Sequence, residues 1–571
     1  MMTDLLGGNL GDLLKFDPNN RLIFTGILFW YFFAIVMTVY SVIHKRTALR
    51  NAFLFAASLY FYYKTSEWFF TLLLFSTVSD YLIGFKIEKT QGVVKKLWLA
   101  LSITINLSVL IYFKYAYFFA DSFNNLLGTK WHPINHFSKA SNEIFGTGFE
   151  FETIALPIGI SFYTFQTISY AVDVYRKDVA PVKSILDFGF YVSFFPQLVA
   201  GPIVRAADFI PQIYKPYTLT KKAFGMGLFW VLNGLIKKVV LADYIAVNFI
   251  DRVFGAPGSY TGFENLMALY GYSLQVYADF SGYTDIAIGI AIFLGFRLPQ
   301  NFNSPYKAHS VGNFWKRWHI SLSGWLKDYL YIPMGGNRGG SVFSLVSLGF
   351  IVAFVFLISG SWWVLAGMIL FLIGAYLLGR AVPSFRLWST TNINLMMTML
   401  IGGLWHGASW NFVIWGALNG LGLVAFKLFN KISPWKDKSK WYNRMWGAFL
   451  TFQFISFTRI WFRTGSNNTW ENMGNKHDIL LELFSANTML QQILKTDFTI
   501  AWQVLSGFAP VFVMMFLGIV IHLIPERFKN WYRTTFSNLP YVLQFVITLI
   551  VIIGIYQAYS SDSQPFIYFQ F

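Results

Sequence analysis

Eight histidines occur in this chain of 571 residues, and two of them keep unusual company. His406 closes an apolar run in Gly402-Gly403-Leu404-Trp405-His406-Gly407-Ala408-Ser409-Trp410. An ionisable side chain at membrane depth is expensive and marks a functional position by default. The bland alternative is a hydrogen bond to a neighbouring helix. Gly402, Gly403 and Gly407 leave room for a close backbone or ligand. Trp410 lies one helical turn on from His406, where it could wall the site. His319 lies in Phe314-Trp315-Lys316-Arg317-Trp318-His319-Ile320-Ser321-Leu322-Ser323, with Lys307, Lys327 and Arg338 around it. Such a basic, aromatic stretch belongs at the cytoplasmic interface. There it either attracts an anionic ligand, such as a phosphate-bearing thioester, or holds anionic lipid heads. A third feature is Asp279 and Asp285, six residues apart in an apolar segment. They either line a polar path or pair with buried Lys or Arg, and pairing is the expected role.

A histidine held out of water suits one task. Neutral imidazole can take the proton of an attacking hydroxyl, and acyl transfer from a thioester needs such a base. It also gains from donors near the developing oxyanion. Other chemistries lack their residues. There is no cysteine, so disulfides, thiolate metal sites and Cys nucleophiles are excluded. No phosphate loop, nucleophile elbow or H-E-x-x-H motif occurs. His132 and His136 have i,i+4 spacing, but Pro133 between them argues against a metal site, and no metal is expected.

The elements that must position these residues follow from composition. Hydrophobic residues make up 55% and charged residues 12%. Soluble domains carry about 25% charged residues. A chain of this length with half that charge, and a mean hydropathy of +0.49, is a polytopic membrane protein. An all-α fold is expected, since open sheets cannot satisfy their backbone in lipid. Apolar runs fall at 22–43, 51–63, 68–85, 97–119, 154–174, 188–204, 224–250 and 266–296. They continue at 342–358, 362–378, 393–404, 412–429, 445–462, 504–524 and 542–556. This amounts to roughly 12–15 membrane segments, some too short or broken to cross fully. The net charge of +17 is assigned to cytoplasmic loops that hold the orientation, rather than to nucleic acid. The acid-leaning stretches 1–20, 120–153 and 464–500, with the C-terminal tail, are expected outside. No cleavable signal peptide is evident, because a basic n-region is missing. The chain reads as one membrane-embedded domain over residues 1–571.

An ordered set of motifs carries a resemblance. Leu156 to Gln166 reads LPIGISFYTFQ, Phe194 to Ile203 reads FFPQLVAGPI, and Asp279 to Asp285 reads DFSGYTD. Asn301 to Tyr306 reads NFNSPY and leads into Phe314 to Ser323. Trp325 to Pro333 reads WLKDYLYIP, followed by Gly335-Gly336-Asn337-Arg338. Leu404-Trp405-His406-Gly407 and the tail Phe566 to Phe571, FIYFQF, complete the set. The chain thereby resembles the membrane-bound O-acyltransferase (MBOAT) family, and within it the alginate O-acetyltransferase branch. The resemblance implies a helical core with a through-membrane tunnel. It implies that His406 is the catalytic histidine, the general base, and that His319 is the second histidine at the tunnel's inner mouth. Trp315, Trp318 and Trp405 would shape the path, along which Ser321, Ser323, Trp410, Asp279 and Asp285 also fall. Lys316 and Arg317 would attract the anionic donor. That donor is acetyl-coenzyme A or an acetylated carrier protein, with no permanently bound cofactor. The acetyl group would pass to an extracytoplasmic SGNH-type acetyltransferase partner and then to a polysaccharide. The host membrane would be the bacterial cytoplasmic (inner) membrane.

The sequence departs from that branch between Ser341 and Trp388, where extra residues with two apolar segments read as an inserted helical hairpin. Two rival functions stay open: D-alanyl transfer to teichoic acid, and a transporter or flippase in which Asp279 and Asp285 couple substrate movement. An inactive scaffold is disfavoured by the two histidines.

Overall fold

The computed structural model describes residues 15–18, 21–199, 201–434, 440–466 and 479–558. The chain's first fourteen residues, most of the Lys436–Lys440 basic run and the Phe566–Phe571 tail motif lie outside these residues. Among the described residues the structure is helical and contains no strand. The helices that frame the site are α1 (Ile27–Ile43), α2 (Thr47–Ser66), α3 (Phe70–Lys89), α4 (Gly92–Leu110), α5 (Ala116–Leu127) and α6 (Ile160–Arg176). Next come α7 (Lys221–Leu235), α8 (Gly262–Phe293), α9 (Val311–Trp315) and α10 (Ile320–Leu326). The last are α11 (Val342–Ser359), α12 (Trp362–Ala381), α13 (Pro383–His406), α14 (Trp410–Ile432), α15 (Trp441–Ser466), α16 (Ala509–Leu523) and α17 (Tyr541–Ala558).

Among the described residues, seven helical stretches are long and apolar enough to cross a membrane, including Thr47–Lys89, Gly92–Leu127, α11, α12 and α17. The chain is therefore a multi-pass membrane protein. Helix α8 is different in kind. Its 32 residues are buried on nearly every side by other helices. A helix wrapped in protein needs no apolar exterior, so it can carry Asp279, Ser281, Thr284 and Asp285. It packs along α7 and against α15. Helices α13 and α14 form a second tight pair, with α15 beside α14. These helices bring the histidine segments together.

Several apolar runs take a form that hydropathy does not reveal. Run 188–204 is not one helix. It breaks into Ile185–Ser193 and Phe195–Leu198, because Pro196 has no N–H to continue the first piece. Run 504–524 bends by 93° between Ala501–Gly507 and α16. Run 393–404 is the last half of α13, which is 24 residues long. The polar residues in the first half of α13 mask it, yet Asn394 is fully buried and donates to the Gly336 carbonyl. Over the segment 341–388 the chain forms α11 and α12, with Gly360 at φ 58° between them. The segment's last residues, from Pro383, already belong to the helix that carries His406.

Candidate active site

The polypeptide around His406 is shaped by helix endings. Helix α13 stops at His406, Gly407 is extended, and Ser409 caps α14 by accepting from the Asn411 amide. Gly403 lets the two helices touch, since a Cβ there would sit 3.0 Å from the Cα of Gly416. A Cβ on Gly407 would overlap the Phe412 ring. The break at Gly407 overturns one expectation. Trp410 is not one turn further along the same helix. It opens α14 and packs against Phe118 and Phe354, with ring centroids 5.0 and 5.8 Å away. The walls of His406 are Trp405 at 5.1 Å, Trp415 at 5.1 Å and Phe462 at 5.2 Å.

His319 arrives from a different kind of element. It precedes α10 and holds a left-handed backbone, φ 44°, which costs a non-glycine residue about 1–3 kcal/mol. The loop at Asn301 fixes it. The Ile320 amide donates to the Asn301 carbonyl at 2.9 Å, and the Asn303 amide donates to the Arg317 carbonyl at 2.9 Å. The Asn301 side-chain oxygen accepts from the Ser321 amide at 3.1 Å and lies 3.2 Å from His319 Nδ1. An oxygen that already accepts from a backbone N–H needs a donor from its other neighbour, so Nδ1 carries the proton in neutral His319. The lone pair then lies on Nε2. The two histidines meet: His319 and His406 are both buried, and their ring centroids are 6.4 Å apart. Trp405 bridges them, 5.7 Å from His319.

The remaining sequence-derived residues divide by position. Trp318 is buried at 5.0 Å from Phe302, and Trp315 reaches Trp415 at 5.7 Å. Lys316 is exposed. Arg317 donates to the Asn313 side chain and the Asn303 carbonyl, so it braces the loop. The Ser321 hydroxyl contacts Asn301 and accepts from the Ile203 amide, while Ser323 donates to the Trp318 carbonyl. Asp279 lies 2.6 Å from Lys238, which also meets Asp243 at 2.7 Å. Asp285 lies 2.6 Å from Lys237 and accepts from Asn233. Both acids are thus ion-paired to the π-helical segment that follows α7, Ile236–Asp243.

Two cations that sequence reasoning passed over, Lys114 and Arg459, belong to the same neighbourhood. Lys114 and Tyr115 lie in a π-helical turn, Ile111–Tyr115, between α4 and α5. Lys114 donates to the Trp405 carbonyl at 2.7 Å and the His406 carbonyl at 3.4 Å, and Tyr115 to the Leu404 carbonyl at 2.8 Å. Arg459, on α15, is 1% exposed and lies over Trp318 and Phe462. Each sits inside an apolar run, 97–119 or 445–462, where a lone cation is itself the available signal.

A multi-pass helical membrane protein with two adjoining buried histidines is the class this geometry defines. The sequence profile of the MBOAT, membrane-bound O-acyltransferase, family matches residues 100–379. The chain is 30% identical over 571 aligned residues to the peptidoglycan O-acetyltransferase of Helicobacter pylori, covering 92% of each. It is 39% identical to the probable alginate O-acetylase AlgI of Azotobacter vinelandii over 66% of this chain and 63% of that one. The corresponding protein of Pseudomonas aeruginosa is 38% identical over 70% of this chain and 65% of that one. The match thus spans just under two thirds of those alginate relatives. The chain belongs to the membrane-bound O-acyltransferase family.

Proposed function

We propose that this protein is a membrane O-acetyltransferase. It takes an acetyl group from a cytoplasmic thioester and delivers it across the membrane for O-acetylation of an extracytoplasmic polysaccharide. The pairing of buried His319 and His406, at 6.4 Å between rings, carries this reading. His406 acts as general base on the attacking hydroxyl. His319 holds the thioester or relays the proton through Nε2. The donor is acetyl-coenzyme A or an acetylated carrier protein, with Lys316 and Arg317 on the side from which it enters. The acceptor chain receives acetyl through an extracytoplasmic SGNH-type partner, and the membrane is the bacterial inner membrane.

The relatives support this chemistry by their names, alginate O-acetylase and peptidoglycan O-acetyltransferase. A teichoic acid D-alanyltransferase of Bacillus subtilis is also similar, at 28% identity over 52% of this chain. The ion pairs of Asp279 and Asp285 weigh against a transporter, since neither acid is left to couple substrate movement.

The test is ester-linked acetate on the host's surface polymers. A deletion strain is complemented with wild-type or His406→Ala protein at matched membrane levels. Wild type restores the acetate, and the variant leaves it at least ~100-fold lower, the usual scale of a lost general base. Full complementation by His406→Ala would remove the catalytic assignment. Acetate unchanged by deletion would remove the polysaccharide.

A further inference from the structure

Four cations count as fully buried among the described residues: Arg50, Lys64, Lys238 and Arg459. Three have acceptors. Arg50 donates to the Ile213 and Lys215 carbonyls and to Asn51. Lys64 donates to the Lys15 carbonyl. Lys238 sits between the carboxylates of Asp243 and Asp279. Arg459 is the exception: none of its three guanidinium nitrogens has an acceptor in hydrogen-bonding geometry among the described residues. The Tyr306 hydroxyl donates to the Ser273 carbonyl and keeps its lone pairs for Arg459 beside it, but a neutral phenol does not balance a full charge. One turn along the same helix, Arg463 has Asp251 at 2.8 Å. Among the described residues, a carboxylate therefore pairs with Arg463 and none pairs with Arg459.

A buried guanidinium without a counter-charge is costly and persists where a ligand completes it. Its surroundings say which ligand. The guanidinium carbon lies 4.4 Å from the Trp318 ring centroid and 5.1 Å from that of Phe462. Trp318 directly precedes His319, and Phe462 is 5.2 Å from His406. Arg459 thus lies against Phe462, a wall of His406, and against Trp318, the residue before His319.

We infer that Arg459 binds an oxyanion of the reacting species, a further catalytic residue for the acyl transfer. The inference rests on the acyl-transfer reading of His406 given above. In the step concerned, the hydroxyl oxygen bonds to the thioester carbonyl carbon and its proton passes to His406. The carbonyl π pair moves to the carbonyl oxygen, which becomes the anion. Collapse re-forms the carbonyl and breaks the C–S bond, and the thiolate leaves with the proton from His406. The oxyanion is either this transient oxygen or a carboxylate that the acceptor itself carries.

The experiment uses the full-length protein in lipid nanodiscs together with its extracytoplasmic acetyltransferase partner and acetyl-coenzyme A, reading thiol release. A neutral glucan oligosaccharide and a uronate oligosaccharide serve as alternative acceptors. Wild type, Arg459→Met, Arg459→Lys and His406→Ala are compared, each with its thermal midpoint. Arg459→Met is expected to keep or raise the midpoint, because it removes a buried charge without unpairing another. A kcat loss of ~100-fold or more with both acceptors, partly recovered by Lys, assigns the transient oxyanion. A KM rise confined to the uronate acceptor assigns the substrate carboxylate. Unchanged kcat and KM with both acceptors would overturn the proposal. So would a loss of activity that merely tracks a fall in midpoint. A wild type no faster than His406→Ala would overturn the acyl-transfer reading, and this inference with it.

Discussion

Asn301 decides what His319 can do. Its side-chain oxygen faces the Ser321 amide, the Ser321 hydroxyl and His319 Nδ1, and that arrangement directs the imidazole lone pair to Nε2. Replacing Asn301 with Leu removes the acceptor while keeping similar volume. The ring is then free to rotate and to exchange tautomers. The expected result is a kcat loss of ~100-fold, the scale of a misplaced catalytic group, with KM for the thioester nearly unchanged. Asn301→Asp, which keeps the oxygen, should recover much of the rate. Thiol release kinetics check both. Equal loss in the two variants would mean that Asn301 serves the loop and not the histidine.

At the scale of elements, the site depends on a helix that ends where it should. The last carbonyls of α13 have no partner within the helix and must be met from outside. The π-helical turn at Ile111–Tyr115 meets them, with Lys114 on Trp405 and His406 and Tyr115 on Leu404. A cation at a helix C-terminus is favoured by the macrodipole as well. Lys114 is therefore expected to act as a positioning residue. Lys114→Met should lower kcat ~10- to 100-fold at a KM held within a few fold, and Tyr115→Phe should cost less. A pure KM effect would point instead to donor binding. This clamp also marks the limit of what the sequence discloses. Helical class, the helices α11 and α12 and the two histidine segments are legible from hydropathy and from motif order. The pairing of residue 114 with residues 405 and 406 is a contact across 291 and 292 residues of the chain, and no local pattern encodes it. The misreading of Trp410 has the same origin. Periodicity assumes an unbroken helix, and the end of α13 at Gly407 depends on packing against Phe412 and on the Ser409 cap.

Across the whole molecule, the ion pairs of α8 separate two readings of the same acids. Lys238 is 1% exposed and lies between Asp243 and Asp279. Removing the lysine alone leaves two carboxylates facing each other out of water, and breaking a buried ion pair costs about 3–5 kcal/mol. Lys238→Met should thus lower the thermal midpoint and the membrane level of the protein. The triple variant Lys238→Met, Asp243→Asn, Asp279→Asn removes all three charges together and should regain most of that stability, since neutral groups of similar volume can replace a buried ion network at little cost. If these acids serve architecture, the triple variant acetylates at near wild-type rate per molecule. If they couple transport or line the reacting path, it is stable and inactive. Midpoint and acetylation measured on the same preparation therefore tell the roles apart. The His319–His406 pair lies beyond Phe280, whose ring is 4.6 Å from His319. Asp279 is the preceding residue of that helix and turns instead to Lys238, so the same segment of α8 presents an apolar wall to the histidines and an ion pair to α7's extension. Only a variant that is stable without those charges can show whether the two faces are independent.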